Sequence, residues 1–227
     1  MLKVKNIDHW GLKHAIRGMR NPMNSWHLSD SYEDFDIDRI NFYVGDKDME
    51  LMQKLYVGGS EHRKYLRQIF VSMDITAPLY WWKEFDTYKI GTTANSCSTM
   101  HKIADKEFEL DDFSHEHLIN DWSNDEELVV YNSEYGNTAV DVLSFTIDAL
   151  NIYRDLFLKT KDKKYWWQLI QLLPSSYNQK RTVTMNYENV INMIHQRQYH
   201  KLDEWHVLID EFCKLPYIQS LLIMDEK

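Results

Sequence analysis

Residues 181–198 read RTVTMNYENVINMIHQRQ, and this stretch decides the fold class. Its first part, Arg181–Met185, is rich in β-branched side chains and predicts a strand. A helix is predicted directly after it, over Asn186–Gln198, and another over Leu202–Lys214. Helices mixed with a few separated strands indicate an α+β protein.

Further strands and helices are predicted on the N-terminal side of this stretch. Apolar and polar residues alternate over Ile69–Ile75, which predicts a second strand. The Ser- and Asp-rich stretch Asn24–Asp38 predicts a surface loop. Helices are predicted over Asp8–Met19, Asp46–Val57, Glu61–Gln68, the acidic segment Asp111–Ser123, Thr138–Lys159 and Tyr165–Leu173. A further helix is predicted to begin at Thr76-Ala77-Pro78, with Thr76 as its cap. The apolar face of the longest helix is predicted to consist of Val142, Phe145, Ala149, Ile152 and Leu156.

The composition is typical of one globular domain spanning residues 1–227. Glycine and proline are scarce, and no repeat or low-complexity linker is visible. The formal charge of −9 argues against a nucleic-acid-binding protein. The sequence has two cysteines, no signal-peptide core at its start and no long apolar run. These features predict a cytoplasmic protein without a membrane span.

Taken without any resemblance, the candidate reactive residues are few. His115 and His117 flank Glu116, but this spacing on a helix does not predict a metal site, and neither does the group His195, His200 and His206. Cys97 is either a thiolate nucleophile with His101 as its base or an ordinary small residue. The pairs Trp81-Trp82 and Trp166-Trp167 either stack on a ring cofactor or pack in the core.

Three blocks of the chain carry a resemblance to a known family. In the first, Leu173-Pro174 precedes the strand Thr182–Met185, which is followed by Asn186, Asn192 and Arg197 at fixed spacing and then by Trp205. This block resembles the flavin-dependent thymidylate synthases of the ThyX type.

The other two blocks lie upstream and in the family's order. The strand Ile69–Ile75 with the following Ala77-Pro78 resembles the segment before the family motif, and His62 stands where the family has a flavin-contacting histidine. Arg17 and Arg20, three residues apart, resemble two arginines of the family's N-terminal helix.

The family motif itself, R-H-R-x-x-S-x-x-x-x-S-x-R, is replaced at residues 87–99. Lys89 stands for an arginine, Thr92 for the first serine, Cys97 for the second serine and Thr99 for the final arginine. A shift of one residue would instead align Ser98 with a motif serine. Outside the motif, Ile170 and Glu188 occupy positions where the family has arginines.

The resemblance implies a central antiparallel sheet flanked by helices, and a homotetramer with each flavin between subunits. It implies a protein that methylates deoxyuridine monophosphate (dUMP) to dTMP with FAD, NADPH and methylenetetrahydrofolate. The implied residues are, for FAD, His62, Lys89, Asn186, Asn192, Arg17 and Arg20, and, for the nucleotide, Arg197, Cys97 and Ser98. Catalytic residues stay unassigned.

The lost arginines leave two other functions open. A charge-assisted hydrogen bond contributes about 1.5–3 kcal/mol, so losing two guanidinium groups weakens the grip on a phosphate by several kcal/mol. A flavoenzyme with the same scaffold and a different pyrimidine or related substrate is one alternative. A non-catalytic binding protein with this fold is the other.

Overall fold

The structure is a computed structural model, which describes residues 2–36, 39–120 and 138–226. The strands are β1 Lys3–Trp10, β2 Tyr32–Asp36, β3 Arg39–Tyr43, β4 Phe70–Pro78, β5 Thr92–Ser96 and β6 Asn178–Asn186. The α-helices are α1 Leu12–Met19, α2 Asp46–Val57, α3 Leu79–Phe85, α4 Thr99–Lys102, α5 Ala139–Thr160, α6 Lys163–Leu172, α7 Tyr187–Arg197, α8 Asp203–Cys213 and α9 Ile218–Leu222. Short 3₁₀ helices cover Asn21–Met23, Trp26–Leu28, Arg63–Gln68, Leu110–Asp112 and Ile223–Glu226.

The strands form two sheets. A four-stranded sheet has the order β1-β4-β6-β5, and β2 pairs antiparallel with β3 so that Tyr32 lies opposite Tyr43. The predicted fold class is confirmed, because the protein is an α+β fold with an antiparallel sheet flanked by helices.

The chain groups into two compact units. The first contains residues 1–3, 76–86 and 96–181, and the second contains residues 4–75, 87–95 and 182–227. The organisation of residues 1–227 as one domain stays a prediction.

The first unit is built on α5 and α6. Thr138 and Asp141 form a reciprocal capping box that starts α5, and the Asp162 side chain accepts from the Lys164 N–H to start α6. Leu143, Ile147 and Leu150 of α5 are buried in a cluster with Leu169 of α6, Phe113 and other apolar residues.

The predicted apolar face of α5 is not the face that packs in the core of the first unit. Val142, Phe145 and Ile152 are 46%, 52% and 60% exposed, whereas Leu143, Ile147 and Leu150 are buried. The helix is apolar on two sides, so its periodicity did not identify the side that packs.

The predicted acidic helix is also wrong over its described residues, 111–120. Leu110–Asp112 forms a single 3₁₀ turn, after which Phe113 makes an antiparallel bridge with Tyr177 and the Ser114 N–H donates to the Ser176 carbonyl. The tertiary pairing thus satisfies backbone groups that a helix would have paired locally. Residues 121–123 lie outside the described part.

The second unit packs α1, α2, the 3₁₀ helix Arg63–Gln68 and α7–α9 around large buried side chains. Tyr56, Tyr65, Tyr187 and Trp205 are almost fully buried. Near the C-terminal end of this unit, Asp225 Oδ2 accepts a hydrogen bond from the Tyr56 hydroxyl at 2.7 Å, and His195 Nε2 lies 2.9 Å from the same oxygen. Burial and this hydrogen bond raise the pKa of Tyr56.

Most helix predictions after residue 45 are close. The helix at Asp46–Val57 is confirmed at both ends, and α5 to α8 lie within two residues of their predicted bounds. The predicted helix Glu61–Gln68 is the 3₁₀ helix Arg63–Gln68. The strand predicted from Ile69 runs on to Pro78, so Thr76 is a strand residue and Pro78 caps α3.

The N-terminal predictions fail in two places. Helix α1 begins at Leu12 and not at Asp8, because β1 occupies the earlier residues and Gly11 turns the chain with φ +98°. A Cβ on Gly11 would lie 2.1 Å from the Gln68 carbonyl oxygen, so the turn needs glycine. The predicted loop Asn24–Asp38 contains the strand β2.

Candidate functional site

The degenerate motif begins with a turn, Thr87–Gly91, that lies along helix α7. At the start of α7 the Asn186 side chain caps the helix by accepting from the Asn189 N–H at 3.0 Å. Asn189 Nδ2 donates to the Ile90 carbonyl at 2.6 Å. This pair of asparagines therefore holds one end of the 87–91 turn.

Gly91 allows the close approach between the turn and α7. Its φ is +74°, and a Cβ at this position would lie 2.6 Å from Asn189 Oδ1 and 2.8 Å from Asn186 Nδ2. No side chain larger than hydrogen fits there without displacing the two asparagines.

The other end of the turn is held near the end of α7. Arg197 Nε donates to the Tyr88 hydroxyl at 2.9 Å, and this hydroxyl lies 3.0 Å from Gln196 Oε1. The guanidinium carbon of Arg197 lies 4.9 Å from the ring centroid of Trp205, which is fully buried. The Arg197 guanidinium is thus oriented by the hydrogen bond to Tyr88 and by the aromatic rings of Tyr88 and Trp205.

Two more of the predicted residues belong to this surface. Lys89 is exposed in the turn between Tyr88 and Ile90. Asn192 is exposed on α7, three residues after Asn189 and four before Gln196, which is the spacing of one helix face. Lys89, Asn192 and Arg197, together with Tyr88, form what we call the α7 surface, whose chemistry suits an anion.

Glu188 has a defined partner in the structure. Its carboxylate accepts from Arg67 Nε at 2.6 Å and from Arg67 Nη2 at 3.0 Å. This pairing raises the pKa of Arg67 and neutralises the carboxylate. Glu188 therefore serves an ion pair at the start of α7.

His62 lines a separate cavity. It is exposed and packs on Gly58, where an added Cβ would lie 3.2 Å from its Cδ2 atom. The cavity has a volume of about 550 Å³ and is also lined by Met19, Lys64 and Tyr65.

Arg17 and Arg20 line another cavity, of about 380 Å³, together with Trp26. Arg17 is exposed, whereas Arg20 is buried and donates from Nε to Asp48, which is fully buried. The Arg20 guanidinium group is therefore engaged in an internal ion pair with Asp48.

Asp48 is stabilised as a carboxylate by several donors. Burial raises its pKa, but hydrogen bonds from Ser29, Ser31 and Arg20 outweigh this effect and hold the pKa below its ordinary value. The two serine hydroxyls each donate to Asp48 Oδ2 at 2.6 Å. This network ties the segment before β2 to α1 and α2.

Cys97 and Ser98 lie in the first unit, at the end of β5. Cys97 is exposed, its N–H donates to the Lys180 carbonyl, and its carbonyl accepts from Gln179 Nε2 at 2.8 Å. The Ser98 hydroxyl accepts from the His101 N–H at 3.1 Å and so caps α4. The structure thus gives Ser98 a local structural contact and leaves the Cys97 thiol exposed.

The comparisons with known proteins point to one fold. No protein-family model matches the chain, and no curated protein matches it in sequence. Two crystal structures of ThyX from Helicobacter pylori, each with FAD and dUMP, are similar in structure. One has a TM-score of 0.64 at 18% identity, covering 97% of this chain and 99% of that chain. The other has a TM-score of 0.63 at 18% identity, with coverages of 98% and 99%.

The chain has the ThyX fold. On this ThyX fold the α7 surface contains residues that the sequence analysis did not select, namely Tyr88, Asn189 and Gly91. Tyr88 occupies the motif's histidine position, and this alignment was the only signal for it. Asn189 and Gly91 gave no signal, because their roles depend on contacts between segments far apart in sequence.

Other candidate groups within the ThyX fold have structural roles. Trp81 and Trp82 are fully buried, and Trp82 Nε1 donates to the Gln179 carbonyl, so this pair packs in the core. Trp167 is partly exposed. Across residues 2–36, 39–120 and 138–226, no group of three His, Cys, Asp or Glu side chains could hold a metal ion. No helix in these same ranges is long and apolar enough to cross a membrane.

Proposed function

We propose that this protein is a divergent, cytoplasmic flavin-dependent thymidylate synthase that methylates dUMP to dTMP with FAD, NADPH and methylenetetrahydrofolate. The observation that carries this proposal is the α7 surface. Arg197 and Asn192 stand at the family's spacing on α7, and the degenerate motif packs on the same helix. The ThyX fold over nearly the whole chain supports the same assignment.

Arg197 is the residue that we assign to the dUMP phosphate. Its guanidinium is oriented by Tyr88 and Trp205, which lowers the entropy lost when an anion binds. Arg197 is the one arginine assigned to the nucleotide, so we expect weaker nucleotide binding than several guanidinium groups would give. Cys97 and Ser98 stay candidates for contacts to the nucleotide.

FAD is the cofactor that the proposal requires, and several residues suit it. His62 borders a cavity that is also lined by Lys64 and its ion-pair partner Glu61, and Gly58 leaves room for the imidazole. Arg17 is an exposed cation beside Trp26, while Arg20 would act indirectly by fixing α1 through Asp48. Lys89, Asn186 and Asn192 would hold the flavin from the side of α7. When bound, FAD supplies the redox and one-carbon relay chemistry, so the protein needs no nucleophile of its own.

The chain's own residues then bind, orient and neutralise. Arg197 holds the phosphate, which fixes the pyrimidine ring relative to the cofactor. Asn186 and Asn189 keep the 87–91 turn in place, so that Lys89 is presented on the α7 surface. Exposed Cys97 has no assigned step in this scheme.

We also propose a homotetramer in which a second copy covers the exposed apolar face of α5. Val142, Phe145 and Ile152 are each close to half exposed or more, and they lie on one side of the helix. Contiguous exposed apolar surface of this kind marks an interaction site.

A flavoenzyme acting on a different pyrimidine or related substrate is the second candidate. It is favoured by one observation, the ion pair between Glu188 and Arg67, which puts a neutralised carboxylate where the family has an arginine. Ile170, at another arginine position, is an apolar residue packed against the core of the first unit.

The test is the visible absorbance of the purified protein with added FAD, followed by assay of dTMP formation from dUMP. We expect bound flavin and turnover, with KM for dUMP raised at least tenfold in Arg197→Met. Arg63→Met is the matched control, because Arg63 is an arginine of the same unit that packs on Tyr56. Bound flavin without dTMP formation would support the second candidate. A protein that cannot be loaded with FAD would support a non-catalytic binding protein.

A further inference from the structure

Another cavity is lined by none of the residues assigned to dUMP or FAD, and it shares Lys13 and Phe42 with the cavity that Arg17 lines. It has a volume of about 950 Å³ and lies in the second unit. Its walls come from the end of β1, the start of α1, the strand β3, and Pro216 and Tyr217 before α9. This volume is at the upper end of the range for small-molecule sites.

Two aromatic rings line this cavity, which we call the β1–β3 cavity. Trp10 is 45% exposed and stacks on Phe70 with ring centroids 5.8 Å apart. Tyr43 is 42% exposed and stacks on Tyr32 at 5.4 Å. Each ring is fixed on one side by another ring and open on the other, which is how a planar ligand is received by stacking.

Hydrogen-bonding side chains accompany both rings. Because side chains alternate along a strand, Asp8 lies on the same face of β1 as Trp10, and Asn41 on the same face of β3 as Tyr43. A carboxylate and an amide can accept from hydroxyl groups of a ligand, and the amide can also donate.

The charge of the cavity argues against an anionic ligand. Lys13 lines it, but its ammonium group is paired with Glu33 at 2.8 Å. Asp8 adds a negative charge on the same wall. A phosphate group would therefore meet a carboxylate and an already neutralised cation.

We propose that the β1–β3 cavity binds an uncharged nucleoside, whose base stacks on Trp10 beside Tyr43 and whose sugar hydroxyls donate to Asp8 and Asn41. None of its lining residues is assigned to dUMP or FAD, although it adjoins the cavity that Arg17 lines. The proposed ligand differs from dUMP because it has no phosphate group.

Inosine is a suitable probe, since its base is neither the pyrimidine of dUMP nor the adenine of FAD. Isothermal titration calorimetry of the full chain should show one inosine site and weaker binding of inosine monophosphate. Trp10→Leu should weaken inosine binding about tenfold, the value of one stacking contact. Trp26→Leu is the control, because Trp26 has similar exposure and lines a different cavity, and it should leave the affinity unchanged.

A second variant keeps the test informative if Trp10→Leu misfolds. Asp8→Asn removes the negative charge without loss of volume. It should therefore reduce the difference in binding affinity between inosine and its monophosphate. The proposal is overturned if inosine does not bind at millimolar concentration, if the monophosphate binds more tightly to the unmodified protein, or if Trp26→Leu weakens inosine binding as much as Trp10→Leu.

Discussion

Gly91 shows at the scale of one residue how the altered motif is held on the fold. Its φ of +74° already disfavours any side chain, and the two asparagines of α7 occupy the space of a Cβ. Gly91→Ala should therefore lower the free energy of unfolding by roughly 2–4 kcal/mol, from backbone strain of about 1 kcal/mol plus the overlap. Urea unfolding followed by circular dichroism measures this change.

Gly59→Ala is the matched control for this prediction. Gly59 also has a positive φ, +96°, but an added Cβ would meet nothing within 4 Å. The Gly59→Ala variant should lower the free energy of unfolding only by the backbone strain, about 1 kcal/mol. Equal losses in the two variants would contradict the packing of Gly91 on α7.

Asp48 gives a prediction with a pH dependence. Its pKa in the folded protein is below the ordinary 3.8, so its stabilisation is present above that value and is lost as the pH falls through the folded pKa. Asp48→Ala leaves Arg20 buried without this partner and should cost about 3–5 kcal/mol at pH 7. The difference between the two proteins should shrink as the pH falls below 3.8, which acid titration of the unfolding free energy would follow.

A surface ion pair serves as the comparison for Asp48. Asp86 accepts from Arg181 at 2.7 Å, but its side chain is 52% exposed. Asp86→Ala should cost about 1 kcal/mol or less. A loss at Asp48 no larger than this would contradict the role of the buried network.

The residues of the candidate site could be predicted only where the sequence keeps the residue spacing of the family that it resembles. Asn186, Asn192 and Arg197 lie in a block that keeps the family's intervals, so their positions on α7 could be predicted. Tyr88 could not be assigned, because its role is set by a contact with Arg197 across 109 residues of sequence. Arg20 could be located but its pairing could not, since Asp48 gave no signal as a buried partner.

At the scale of elements, α5 presents an apolar face that is exposed among the described residues of its unit. Ile152→Glu should reduce a homotetramer to a smaller species, because it places a charge in the middle of a surface that we propose to be buried between copies. Size-exclusion chromatography with light scattering measures the mass.

Asp148→Ser controls for the α5 variant, since Asp148 is exposed on the same helix and is polar. It should leave the assembly unchanged. An unmodified protein that runs as a monomer, or an Ile152→Glu protein of unchanged mass, would refute this interface.

The elements themselves were predicted unevenly, for physical reasons. Helix α2 was predicted to the residue because Gly58-Gly59 ends it, and α5 begins at the capping box of Thr138. Strand β1 was missed because most of its residues are exposed, which leaves no alternation of apolar and polar residues to detect. The packed side of α5 could not be chosen because both sides are apolar.

At the scale of the whole molecule, the order of three weakly similar blocks identified the fold although the family motif itself is replaced. The motif at residues 87–99 lacks the family's residues, yet three modest blocks in the right order identified the fold that the structure confirms. At 18% identity the backbone architecture is retained. The fold could therefore be predicted with more certainty than the reaction.

The contact of Asp225 with Tyr56 and His195 has a consequence for handling the protein. The last 3₁₀ helix carries the acceptor for a hydroxyl whose ring is entirely buried in the second unit. Proteolytic cleavage on the N-terminal side of Asp225 would leave that hydroxyl without this acceptor and loosen α2 and α7 together. Such cleavage would thus destabilise the interior of the second unit.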